Sequence, residues 1–253
     1  ALARAVLDSL KSRVDAIKKL MPLIMNLRNE AMRDRHWKQL MEEVGTTFDP
    51  YAETFTLEMV LELGLEHHED LISNLSTAAG KELAIEEAIV KIEKLWEELT
   101  LDLADYKGDY LKLRTVDDLY ASLEDNAVAL STMKASRFAA SFLAELDKWE
   151  KRLSHISETV EMVMNVQRKW MYLESIFVGS EDIRKQLPAE SSLFDKVNAD
   201  WTATTRRMQA AGTAYAATHL EGVLERLIGM DDALDRIQKS LDECAPQPPP
   251  PAA

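Results

Sequence analysis

Cysteine, glycine and proline are all scarce in this chain of 253 residues, which holds one, eight and eight of them. A lone Cys244 excludes an intrachain disulfide, which suits a reducing compartment such as the cytosol and predicts a bland thiol. Four of the prolines crowd into positions 248–251, so the body of the chain has few breakers and should form long helices. No stretch approaches the ~18 apolar residues that a transmembrane helix needs. The first ten residues lack the unbroken apolar core of a secretory signal. An initiating Met is missing too, which predicts a segment of a longer chain. Basic charge is in deficit: 30 Lys and Arg stand against 44 Asp and Glu, for a net charge of −14. That sign argues against nucleic acid, against an anionic membrane and against direct contact with an acidic microtubule surface.

Nucleotide signatures are absent as well. No G-x-x-x-x-G-K-[ST] or G-x-G-x-x-G run supplies a phosphate cradle, so no cofactor and no catalytic site are expected in this chain. His67 and His68 in E-H-H-E-D sit side by side, point apart on a helix, and lack the spacing of a metal site. They are read as solvated or partner-facing. His36, His155 and His219 are isolated in the sequence and are read as surface or half-buried structural residues. The dispersed carboxylates fit solvated helix faces, with pairs such as Glu87 and Lys91 at i,i+4. A helical metalloenzyme would need paired carboxylate and histidine motifs, which are missing.

Apolar spacing then predicts an all-α chain, an elongated rod of packed long helices spanning residues 1–244. Leu7, Leu10, Val14, Ile17 and Met21 mark one helix face, which Pro22 should end or kink. The pattern resumes from Ile24 through Leu27, Ala31, Trp37 and Met41 to Val44, and stops at Gly45. Residues 46–54 read as a loop. A short helix over 56–63 should close at Gly64, and a second over 66–79 at Gly80. Ile85, Ile89, Ile92, Trp96 and Leu99 form a separate amphipathic helix, with Glu86 on its polar face. Near residues 100–114 the period switches to alternation around Lys107-Gly108-Asp109, a small β-hairpin. Thr115 to Asp118 reads as a capping signature for the helix carrying Leu119, Leu123, Leu130 and Met133.

The longest pattern is a heptad seam, Phe142, Leu146, Trp149, Leu153, Ile156, Val160 and Val163, which continues after a three-residue stammer through Val166, Trp170, Leu173 and Phe177. About forty residues at ~1.5 Å each predict a helix of roughly 60 Å. Ser180 should cap the next helix, with Ile183 and Leu187 before Pro188. Phe194, Val197, Trp201, Thr204 and Met208 make another. Leu220, Leu224, Leu227, Leu234, Ile237 and Leu241 make the last, and the proline-rich residues 245–253 should be extended or disordered. The five tryptophans read as core anchors, or as one or two members of an exposed docking patch.

The run V-Q-R-K-W-M-Y-L-E-S-I-F, followed by D-I-R-K-Q-L-P and by Phe194 and Trp201, resembles the linker segment of dynein heavy chains. R-D-R-H-W-K-Q-L at 33–40, K-E-L-A-I-E-E-A-I with Trp96, and the block at 123–138 are similar to that family in the same order. E-L-G-L-E-H-H-E-D is nearer to ciliary than to cytoplasmic heavy chains. The positions that carry the resemblance are Arg33, Arg35, His36, Trp37, Trp96, Trp149, Gln167, Trp170, Leu173, Phe177, Asp182, Ile183, Leu187, Pro188, Phe194 and Trp201.

The resemblance implies a rod-like mechanical linker without catalysis of its own, in an ATP-driven, microtubule minus-end-directed motor of cilia or flagella. Its partners would be the AAA+ ring and tail of a heavy chain, other dynein subunits or axonemal proteins. The family usually continues past this point with a tyrosine, a K-R pair and an F-P-R-F-like stretch. Here C-A-P-Q-P-P-P-P-A-A follows instead. A naturally shortened relative, or a spectrin-like helical scaffold, would replace the mechanical role by docking. The scaffold should show a repeat of a hundred-odd residues, and none is seen.

Overall fold

The computed structural model describes residues 2–244. The proline-rich stretch 245–253 lies outside the described residues, as do the side chains of Leu7 and Cys244. Among the described residues, ten α-helices, two short 3-10 turns and one two-stranded antiparallel sheet make an all-α fold with a small hairpin. Among the described residues two compact units are distinguished, one up to Ile89 with 136–142, the other of residues 90–135 with those from Leu143 onward.

In the first unit, α1 (Leu2–Leu27) continues past Pro22, so of the expected end or kink the end does not occur. The ring removes one N–H from the helical ladder, and the turns on either side carry the helix past it. Leu23 and Leu27 enter the core, whereas Leu10, Val14, Ile17, Met21 and Met25 stay exposed. The expected apolar face is therefore real, but nothing among the described residues covers it.

The pattern that sequence reading carried unbroken to Gly45 is interrupted before α2 (Asp34–Val44). Asn29 causes the break: its side-chain oxygen accepts the Ala31 N–H at 3.0 Å, a local turn that competes with the helix. Its amide also donates to the backbone oxygen and hydroxyl of Ser76, both at 2.9 Å. Gly45 ends α2 in the left-handed region (φ 73°), returning its N–H to the Met41 carbonyl.

After the loop, Thr56 caps α3 (Leu57–Glu62) by accepting the Met59 N–H. A 3-10 turn over Leu65–His68 leads into α4 (Glu69–Glu98), a single helix of 30 residues. Gly80 was expected to end a helix, yet it sits inside this one. A helical glycine costs about 1 kcal/mol against alanine, too little to stop a helix whose Ile72, Leu75, Ala79 and Ile85 are all buried.

In the second unit, β1 (Leu103–Tyr106) pairs with β2 (Tyr110–Leu113), Leu103 opposite Leu113 and Tyr106 opposite Tyr110. Lys107 and Gly108 turn the chain with φ of 50° and 83°. The next helix, α5 (Asp117–Lys134), begins after Val116 with no side-chain cap. Thr115 does not cap it; its hydroxyl donates to Asp102 at 3.3 Å, because Arg114 already holds that carboxylate beside it.

The heptad seam lies on α6 (Leu143–Phe177), a helix of 35 residues and so about 50 Å long. Every seam position from Leu146 to Phe177 is buried, across the three-residue step included. Phe142 itself falls in the preceding 3-10 turn, Ala140–Phe142. Ser180 caps α7 (Glu181–Gln186) as expected, and Pro188 opens α8 (Pro188–Ala211) at the first helical position, where its missing N–H costs nothing. Thr213 caps the five-residue α9 (Ala214–Thr218), a helix the apolar spacing did not reveal. In α10 (Val223–Cys244), Val223 and Met230 join Leu227, Leu234 and Ile237 in the core, while Leu220 precedes the helix.

Candidate functional site

Two constellations gather most of the singled-out residues, one in each unit. In the first unit the R-D-R-H-W run forms the start of α2. Arg33 precedes the helix, and its backbone N–H donates to Nδ1 of His36 at 3.0 Å, half of a capping box. An accepting Nδ1 carries no hydrogen, so the proton of this neutral imidazole sits on Nε2, 3.2 Å from Glu82 Oε2. Burial pushes the His36 pKa below its ordinary value, against the opposing pull of Glu82 and with help from Arg35. Arg35 pairs with the same carboxylate, its Nε at 2.7 Å, and Arg33 reaches Glu86 at 3.1 Å. Glu86 is therefore a partner of α2 rather than part of a merely solvated face. Trp37 turns inward and meets Phe48 and Phe55 edge-on, with centroids 6.3 and 6.0 Å away.

In the second unit the aromatic node centres on α6. Trp170 stacks on Trp201 at 5.6 Å and takes the edges of Tyr106 and Tyr110 from the hairpin. Its indole N–H donates to Asn198 at 2.9 Å, and Asn198 donates in turn to the Tyr110 hydroxyl at 3.1 Å. Gln167 fastens the free edge of β2: its amide oxygen accepts the Leu113 N–H at 2.7 Å, and its nitrogen donates to the Leu113 carbonyl at 2.9 Å. A buried strand edge needs such partners. Lys107, in the hairpin turn, reaches the buried Glu174 at 2.5 Å, and that hydrogen bond holds its ammonium above the ordinary lysine range. Further along α6, Phe177 stacks on Phe194 at 5.3 Å.

The remaining positions are simpler. Trp96, Trp149 and Leu173 are buried, Asp182 is exposed, and Ile183, Leu187 and Pro188 lie where α7 gives way to α8. All five tryptophans are 5% exposed or less, so none forms a docking patch. His67 is exposed, with Nε2 3.6 Å from Glu66. His155 and His219 are not isolated from each other in space: their rings meet at 4.8 Å. Among the described residues no three His, Cys, Asp or Glu side chains gather as a metal site.

Sequence reading missed Glu82, Asn29, Glu174 and Asn198, the polar partners that fix the named residues. Each sits on an otherwise apolar or polar stripe with nothing local to mark it. Their arrangement orients helices and a hairpin. An open cleft of about 870 Å³ runs along α6 beside Met162, Met164, Gln167 and Met171. Another, of about 600 Å³, lies in the first unit between Leu27, Trp37, Phe55 and Val60.

The family described as "Dynein heavy chain, N-terminal region 2" matches residues 2–245. The chain is 50% identical to "Dynein axonemal heavy chain 2" of Mus musculus over 238 residues, 94% of this chain and 5% of that one. It is 49% identical to the Homo sapiens protein of the same name, with the same coverage. To the "Dynein-1-beta heavy chain, flagellar inner arm I1 complex" of Chlamydomonas reinhardtii it is 48% identical over 237 residues, again 94% and 5%. The chain thus spans about a twentieth of the length of these relatives. With one family match along nearly its whole described length and half its residues shared with such relatives, it belongs to the dynein heavy chains, as their N-terminal region.

Proposed function

We propose that this segment is a mechanical linker element of an axonemal dynein heavy chain, working by changing shape and carrying no reaction of its own. The observation that carries the proposal is α6: an unbroken helix of 35 residues whose apolar seam is buried along its length. Backbone hydrogen bonds along such a helix resist axial load, and side-chain packing on several faces keeps it from bending away. Gln167, Trp170 and Glu174 tie the hairpin to that helix by directed bonds. The relatives named as an axonemal heavy chain and as part of a flagellar inner arm support a ciliary or flagellar location.

In this reading ATP hydrolysis belongs to a AAA+ ring elsewhere in the heavy chain, and the partners are that ring, the tail and neighbouring axonemal dynein subunits. No cofactor, nucleic acid, membrane or direct microtubule contact is assigned to these residues. Two measurements test it. The purified 253-residue chain should hydrolyse no ATP above a blank. In the full heavy chain, Gln167→Leu should slow microtubule gliding while leaving basal ATP turnover within about twofold, since the reaction centre is untouched. Equal losses in gliding and basal turnover, or unchanged gliding with a demonstrably loosened hairpin, would refute the mechanical role.

A further inference from the structure

An acidic chain carries one face where positive charge dominates. Lys148, Lys151, Arg152 and His155 lie on α6 at i, i+3, i+4 and i+7, and His219 follows α9 beside them. Together with Asp147 they line an open pocket of about 500 Å³.

Each carboxylate at this face has a lysine beside it, Asp147 and Glu150 sharing one. Asp147 pairs with Lys134 at 2.7 Å, and that hydrogen bond holds its carboxyl below the ordinary range. Glu150 pairs with the same lysine at 2.7 Å, and Glu145 stands 3.8 Å from Lys148. No carboxylate lies within ion-pair distance of Lys151 or Arg152 among the described residues. Arg152 is half-buried, its guanidinium over Trp149 at 4.8 Å and Tyr215 at 5.5 Å. Stacking leaves the five N–H donors of the fork unspent and pre-oriented. The histidines are fixed too: His155 Nε2 lies 3.0 Å from the Thr218 carbonyl, and His219 Nδ1 2.9 Å from that of Tyr215.

We infer that this pocket docks an acidic polypeptide segment, whose carboxylates pair with Lys148, Lys151 and Arg152 in register. The four α6 positions spread over ~10 Å of helix, so one small anion engages only part of the stripe. A segment with carboxylates repeating every three or four residues matches its whole length. The planar fork of Arg152 takes one of them through two parallel bonds. The site stands whether or not the segment works as a linker.

The test is fluorescence anisotropy with the intact 253-residue chain and a labelled 16-residue Ala-Glu helical peptide bearing Glu at i, i+4, i+7 and i+11. Binding of this peptide, but not of its Gln-for-Glu counterpart, is expected, weakening at least tenfold between 50 and 300 mM salt. Lys148→Glu with Lys151→Glu, at exposed positions where folding is undisturbed, should weaken it about tenfold or more. Arg152→Lys keeps the charge and loses the fork, so a loss of about threefold is expected. Circular dichroism confirms that each variant folds. The inference is overturned if the Gln peptide binds equally, if the double variant binds as well as the parent, or if no binding occurs up to 1 mM peptide. It is equally overturned if inorganic phosphate at matched concentration saturates the site while the peptide does not, for that describes a small-anion pocket.

Discussion

Replacing Gln167 by leucine removes two hydrogen bonds while filling nearly the same volume. Both bonds go to Leu113, whose N–H and carbonyl face away from β1, and both lie in the buried interior. Each backbone group left without a partner there costs about 1–3 kcal/mol, so the substitution should cost about 2–6 kcal/mol. Leucine is the right replacement, because alanine would open a path from the neighbouring α6 cleft and let water satisfy the strand. Urea unfolding followed by tryptophan fluorescence reads this directly, since Trp96, Trp149, Trp170 and Trp201 all belong to the second unit. The midpoint should drop with an unchanged slope, and melting should fall by roughly 4–24 °C, at about 2–4 °C per kcal/mol for a unit of this size. Gln167→Glu gives a second reading. Its protonated acid can accept and donate as the amide does, whereas the carboxylate faces the Leu113 carbonyl. A glutamate whose folded pKa is raised contributes stability below its unfolded value near 4.3, lost as pH rises through the folded value. That variant should approach the parent near pH 4 and fall well below it at pH 7. A loss under ~0.5 kcal/mol for Gln167→Leu would mean that Gln167 does not hold the strand edge, and the account of the hairpin would fail.

His36 should make the first unit acid-sensitive. Its folded pKa lies below the ordinary 6.5, so the unfolded chain takes the proton first and stability is lost as pH falls below about 6.5. Gln at this position keeps the reach of a capping box without titrating, so His36→Gln should flatten the melting curve between pH 7.5 and 5.5. Gly80→Ala should stabilise by about 0.5–1 kcal/mol, because no atom lies within 4 Å of the added Cβ and the backbone is helical. Gly45→Ala should destabilise in the same urea assay despite equally open space, because its φ of 73° is unfavourable for alanine. Ser180→Ala should cost about 1 kcal/mol by removing the acceptor for the Ile183 N–H, and a neutral result would deny that cap.

What the sequence made legible was whatever repeats or punctuates locally. The α6 seam, the apolar face of α8, the hairpin, the cap at Ser180 and the glycine after α2 each have a signature within a few residues. What it hid was decided at a distance. Asn29 breaks a helix because its amide finds Ser76, 47 residues away. Arg35 finds Glu82 across the same separation, and Lys107 finds Glu174 across 67 residues. Gly80 and Pro22 have strong local meanings as helix breakers, yet the burial of neighbours such as Leu23 and Ala79 outweighs them. Thr115 looked like a cap, but Asp102 and Arg114 recruit its hydroxyl first. The basic stripe at Lys148, Lys151, Arg152 and His155 went unread, with His155 taken as isolated, although the four stand at i, i+3, i+4 and i+7. Its aromatic support from Tyr215 has no such local signature.

These long-range polar bonds explain how a seam of repeating apolar residues settles on one register. A heptad pattern is nearly degenerate: sliding one helix by seven residues past another returns apolar side chains to similar neighbours. Between α6 and α8 the apolar pairs Trp170–Trp201 and Phe177–Phe194 would tolerate such a slip better than the polar ones. The bond from Trp170 to Asn198, the bond from Asn198 to Tyr110 and the Gln167 clamp on Leu113 have no equivalents seven residues away. A slip would strand several buried donors and acceptors at about 1–3 kcal/mol each, while the apolar term changed little. Burial therefore supplies the stability of this unit, and a handful of directed bonds supply its uniqueness. If the segment is the linker proposed above, the second property matters more than the first, because a register that slips under load would dissipate force.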